Sequence, residues 1–181
     1  MFEVGIAIFF GVHLIPFIAS LRNFFSSKFG ENLYKSLFSL FSLMGLFLIS
    51  FGYQSNSDFL YSINGTVYSY SKYIMFISFP LIVATNMPTY IKKYIKHPMS
   101  VGVGIWAIMH LMLNPDLASV ILFGSFLVYS IVSAVMSEFR SVKTSVENPK
   151  IIFDFLSFGI GVFLTFIAFH FHENLTGIAL T

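Results

Sequence analysis

The chain has 181 residues, of which 56% are hydrophobic and 10% charged, with a formal net charge of +2. A soluble domain of this size carries about 25% charge to solvate its surface, so composition excludes a water-soluble globular protein, and so small a positive charge excludes a nucleic-acid partner. The absence of cysteine excludes disulfides, thiolate metal centres, a thiol nucleophile and covalently attached c-type haem.

Apolar runs follow one another along the chain, and each crossing of a bilayer takes about 20 such residues. The first run, Phe2 to Leu21, has Glu3 in place of a basic leader and no A-x-A-like cleavage site, so it reads as a retained helix and not as a secretory signal. The second extends from about Lys35 to Tyr53 and the third from about Tyr70 to Met87. A shorter fourth, Met99 to Leu113, is closed by Asn114-Pro115-Asp116. The fifth covers Leu117 to Ser137, and the sixth, Ile151 to Phe171, opens on Asn148-Pro149 as N-cap and first helical residue. The expected fold is therefore all-α. It is a single transmembrane domain over residues 1–181, a polytopic helix bundle of six membrane helices, or five if the fourth run lies in the interface.

Lysine and arginine stay on the cytoplasmic side of a membrane protein, which tests that count. Arg22, Lys28 and Lys35 fall in one linker, Lys92, Lys93 and Lys96 in a second, and Arg140, Lys143 and Lys150 in a third. Six crossings with both termini on the non-cytoplasmic side place all of these on one face. Lys72 is the exception. The sequons Asn64-Gly65-Thr66 and Asn174-Leu175-Thr176 would then face outward, although such triplets carry little weight alone.

Polar groups at membrane depth are costly and therefore informative. His13 lies mid-way along the first run, one turn before Pro16, whose missing N–H and ring clash open the backbone near Val12. It is either satisfied by a freed carbonyl or available as a ligand. His97 and His110 bracket the fourth helix on faces roughly 140° apart and about 20 Å apart along the axis, so they cannot hold one ion together. His110 shares its face with Trp106, Val103, Gly102 and Met99, a wall suited to a planar ligand, whereas His97 beside Lys96 and Pro98 reads as a solvated helix start. In the sixth helix, His172 extends a packing face of Asp154, Phe158, Gly161, Thr165 and Ala168. His170 extends Phe163, Phe166 and Ile167 toward lipid. Asp154 is expected to pair with a linker lysine.

No Gly-rich phosphate loop, HExxH or paired intramembrane carboxylates occur, which argues against a hydrolase. Without cysteine, haem iron must be held by His, Met or Tyr, and two inward histidines on different helices are the usual arrangement for b-type haem in a bundle.

The run His97-Pro98-Met99-Ser100-Val101-Gly102-Val103-Gly104-Ile105-Trp106-Ala107-Ile108-Met109-His110-Leu111 closely resembles the signature of NnrU-like membrane proteins. Gly11-Val12-His13-Leu14-Ile15-Pro16, Gly30-Glu31-Asn32-Leu33-Tyr34, Phe123-Gly124-Ser125-Phe126 and the closing His172 to Gly177 agree with it, so the likeness spans nearly the whole chain. Ser100, Gly104 and Pro115 depart from the family pattern. The resemblance implies a protein of the bacterial inner membrane linked to production of active nitrite and nitric oxide reductases in denitrification. A related family sharing the domain, zeta-carotene isomerase, uses b-type haem to isomerise a cis double bond in a carotene. Its proposed axial ligands correspond here to His13 and His110, beside Trp106 and Gly102, while its cysteine three residues before the second histidine is Ala107.

At 1.5 Å per residue, His13 sits about 18 Å below the outer boundary and His110 about 5 to 10 Å below it. His172, near the outer end of the sixth helix, is therefore a substitute partner for His110. Three functions stay open: a haem b protein supporting nitrogen-oxide metabolism, a haem-dependent isomerase acting on an apolar polyene or lipid-like ligand, and a cofactor-free accessory subunit of a membrane reductase.

Overall fold

A computed structural model describes residues 1–54, 58–139, 146 and 148–176. Arg140, Lys143 and Gly177, and the side chains of Leu175 and Thr176 in the second sequon, lie outside the described residues. The chain forms two compact units, Met1–Gln54 and Ser55–Thr181.

The first unit contains α1 (Phe2–Leu14), a 3-10 turn (Ile15–Phe17), α2 (Ala19–Phe29) and α3 (Glu31–Gly52). The single helix expected from Phe2 to Leu21 is broken. Pro16 sits in the 3-10 turn, where its missing N–H is tolerated, and α2 leaves at 96° to the preceding segment. Gly30, at φ +80°, then ends α2 in a conformation that side chains avoid and reverses the chain into α3. α1 and α3 approach closely because glycines face each other's backbones. A Cβ on Gly5 would stand 2.7 Å from the Ile49 nitrogen, and one on Gly45 would stand 2.9 Å from Phe9.

The second unit contains α4 (Gly65–Ala84), α5 (Tyr90–Tyr94), α6 (Pro98–Leu113), α7 (Leu117–Phe139) and α8 (Ile151–Thr176). α4 starts earlier than the apolar pattern because Asn64 caps it, accepting from the Thr66 and Val67 amides. The first sequon's asparagine is thus a helix cap. Asp116 caps α7 in the same way, taking the Ser119 amide at 3.0 Å and its hydroxyl at 2.6 Å.

Fully buried side chains in this unit are small or polar, including Ser78, Ala84, Ala107, Ser157 and Thr165, each with no exposed surface. Large apolar groups point outward, as with Phe163 at 63% exposure. That inversion is the packing of helices in lipid, where close backbone approach replaces the hydrophobic effect as the driving force. On α8 the inward face is Ser157, Gly161 and Thr165; Phe158, expected on that face, is exposed.

Among the described residues, α3, α4, α7 and α8 are each long and apolar enough to cross a membrane, and the bent α1–α2 pair makes a fifth if it is one span. α6, with 16 residues, is shorter. The protein is all-helical, with four or five candidate spans.

Candidate functional site

α4 holds the helices that carry the histidines of the second unit. Ser78 on α4 donates to the Gly102 carbonyl of α6 at 2.8 Å, and Pro80, inside α4, lies against the bare backbone of Gly161 on α8. Pro80 leaves the i−4 carbonyl without its usual amide, and Gly161 lets α8 sit directly on that bend.

These two contacts bring His110, in the last turn of α6, to His172, near the end of α8. Their ring centroids are 6.5 Å apart and their planes 29° apart. Trp106 stands 4.8 Å from His110, and Phe123 packs on both at 5.1 Å and 4.5 Å. A pocket of about 160 Å³ opens beside them, with an apolar side formed by Met75, Phe79, Trp106 and Phe169 and a polar side formed by Ser71, Lys72 and Asn114.

Hydrogen bonding fixes the tautomer of His110. Its Nδ1 lies 2.9 Å from the Trp106 carbonyl oxygen. A carbonyl can only accept, so Nδ1 carries the proton and Nε2 keeps the lone pair that a metal requires. Asn114 takes the His110 carbonyl through its side-chain amide at 2.9 Å, and Tyr61 donates to the Leu111 and Asn114 carbonyls, closing the end of α6. Burial, and then the Asp116 carboxylate, push the Tyr61 hydroxyl above the ordinary phenol range and keep it a donor.

His13 belongs to the first unit and has the same local arrangement. Its Nδ1 donates to the Phe9 carbonyl at 2.7 Å, and its ring lies 4.2 Å from Phe9 and 5.0 Å from Phe38. The Val12 carbonyl near Pro16 is taken instead by the Ile15 amide.

The remaining sequence candidates serve structure. Gly102 makes the α4 contact; a Cβ there would stand 2.7 Å from the Ser78 carbonyl oxygen. His97 is not a solvated helix start: its side chain is 16% exposed and pairs with Glu138 on α7 at 3.0 Å, beside Lys96 at 3.2 Å. Asp154 takes no lysine in its described contacts. It accepts from the Tyr90 and Ile91 amides, each at 3.0 Å, and so caps α5. His170 is exposed. Sequence reasoning overlooked the polar side of the pocket, although Lys72, the cation out of place in the charge pattern, was its signal. Among the described residues no three His, Asp or Glu side chains converge to hold a metal ion.

The family model described as NnrU protein matches residues 1–180. The chain belongs to the NnrU family. No curated protein and no solved structure matches it. NnrU membership, with the apolar helices, makes this an integral membrane protein whose histidine pocket lies within the matched residues.

Proposed function

We propose that the chain binds haem b through His110 and a second histidine, and that this haem serves a redox or haem-linked role in nitrite and nitric oxide metabolism. The observation that carries the reading is the pairing of His110 with His172. Their ring centroids are 6.5 Å apart and both rings line one pocket, so two imidazoles, the usual protein ligands of b-type haem in a helix bundle, are available at a single site. The Nε2 lone pair left on His110 supports the same reading, since metal-bound histidines donate their other ring nitrogen to a carbonyl or carboxylate. The pocket of about 160 Å³ is smaller than the roughly 300–1,000 Å³ of small-molecule sites, so porphyrin entry requires its apolar side chains to move outward.

When bound, haem b supplies reversible one-electron chemistry. The chain's own residues do the rest. His110 and His172 would hold the haem iron, Trp106 and Phe79 would keep water from it, and Lys72 carries the charge opposite to the haem carboxylates. His13, the ligand implied by family resemblance, shares the tautomer of His110 and is the rival second ligand. Alanine variants separate the two: the account expects the paired-histidine spectrum to vanish in His110→Ala and His172→Ala and to persist in His13→Ala. Loss in His13→Ala and persistence in His172→Ala would reverse the assignment.

The apolar side of the pocket next to His110 supports a second reading, a haem-dependent cis–trans isomerase of a polyene. Incubating the reduced protein with a poly-cis carotene and finding no isomer shift rejects it. A colourless preparation from haem-replete cells would favour a cofactor-free accessory subunit. The sorting of cations, with Arg22 and Lys28 on α2 counted outside the span, supports six crossings, with α1 and its 3-10 turn as the first, α6 as a short one, and both termini on the non-cytoplasmic side of a bacterial inner membrane.

A further inference from the structure

The first unit contains a second cavity, which the haem reading does not use. The break at Pro16 turns α2 back across the first turns of α3, and the space left between them is about 330 Å³. Phe25 and Phe29 of α2 face Leu37, Phe38 and Phe41 of α3 across it. Tyr34 also lines the cavity, and its hydroxyl is buried with no hydrogen-bond partner among the described residues.

That orphan hydroxyl constrains what the cavity can hold. A buried hydroxyl left unpaired is costly, so an occupant that accepts from it is favoured. Water is a poor candidate, because a buried water needs two to four polar partners and Tyr34 is the cavity's polar lining residue among those described. An anion is disfavoured, since among the described residues no cation lines the walls. An alcohol or amide brings donors of its own into the apolar space. A ketone, quinone or ester oxygen brings none. The volume also falls within the roughly 300–1,000 Å³ of ligand pockets, and Phe29 and Phe41, both exposed, give access from outside.

We propose that this cavity binds an apolar molecule bearing a neutral carbonyl, with the Tyr34 hydroxyl donating to that oxygen. The carbonyl could belong to a bilayer ester lipid or to a free isoprenoid quinone, and the test separates them. The full chain is purified in detergent, and a photoreactive aliphatic ketone is cross-linked to it in competition with a short-chain ubiquinone or with a diacylglycerol. The account expects labelling of peptides from Phe25 to Phe41, weakened about three- to tenfold by Tyr34→Phe, the loss of one hydrogen bond, and abolished by the cavity-filling Leu37→Trp. Competition by the quinone alone identifies a quinone site; competition by both, a site for the ester carbonyl as well. Without ligand, Tyr34→Phe is expected to unfold no earlier than the parent, because it removes an unsatisfied group, and this separates binding from folding. Labelling that is equal in Tyr34→Phe and the parent, or that survives Leu37→Trp in a folded variant, would overturn the proposal.

Discussion

Two glycine-to-alanine substitutions should move stability in opposite directions. In a helix interior alanine is favoured over glycine by about 1 kcal/mol, so with space available the change stabilises. Gly124 in α7 has nothing within 4 Å of an added Cβ, and Gly124→Ala should gain up to about 1 kcal/mol. Gly102 in α6 is the contrary case, with an added Cβ 2.7 Å from the Ser78 carbonyl oxygen and 2.8 Å from Ile82. Ile82 can turn, but the Ser78 backbone cannot. To restore 3.4 Å, the start of ordinary contact, α6 must retreat by 3.4 − 2.7 = 0.7 Å. That movement stretches the Ser78–Gly102 hydrogen bond from 2.8 Å toward the limit of such bonds. Overpacking costs about 1–3 kcal/mol and the weakened bond about 1 kcal/mol. After the propensity gain, Gly102→Ala should destabilise by roughly 1–3 kcal/mol. Thermal unfolding in one detergent, followed by circular dichroism, compares the two variants with the parent. A Gly102→Ala protein that melts with or above the parent would refute the close α4–α6 approach.

The other predictions concern caps and topology. Asp154→Ala should cost about 1–3 kcal/mol through loss of two acceptor bonds at the start of α5, and Asp154→Asn, which keeps one acceptor oxygen, about half as much. Equal losses in denaturation midpoints would point to a charge partner instead of a cap. Asp116→Ala should destabilise by about 1–2 kcal/mol as a lost N-cap, with Asp116→Asn intermediate, measured by the same melts. Because the chain has no cysteine, single cysteines placed at Asn32 and Ser62 can be labelled in intact cells by a membrane-impermeant maleimide. Six crossings predict labelling at position 62 and protection at position 32, and the reverse pattern would invert the topology.

Helix ends written in local chemistry were legible in the sequence. Pro98 and the Asn114-Pro115-Asp116 turn bound α6, and α6, α7 and α8 start at or within one residue of where apolar periodicity put them. α8 begins at Ile151, so Pro149 is not its first helical residue, and α7 and α8 run two and five residues past their expected ends. α3 and α4 begin four and five residues before the apolar runs because their first turns are polar and amphipathic. Asn64 was in plain view as a sequon, and its competing use as a cap decided the boundary. Pro16 announced a disturbance, but whether a proline kinks or breaks a helix depends on what the departing segment packs against, here α3. The inward turn of His172 was readable from the small residues sharing its face. The role of Asp154 was not, since its partners are backbone amides 64 and 63 positions away.

The central claim is that a histidine-held haem sits beside Trp106, the single tryptophan of the chain. Its ring lies 4.8 Å from His110, so bound haem would quench its emission. Purified protein titrated with haem b should develop a Soret band that saturates near one equivalent while Trp106 fluorescence falls in step, and His110→Ala should lose both signals. Unchanged fluorescence and no Soret band in a folded, haem-saturated preparation would contradict the account.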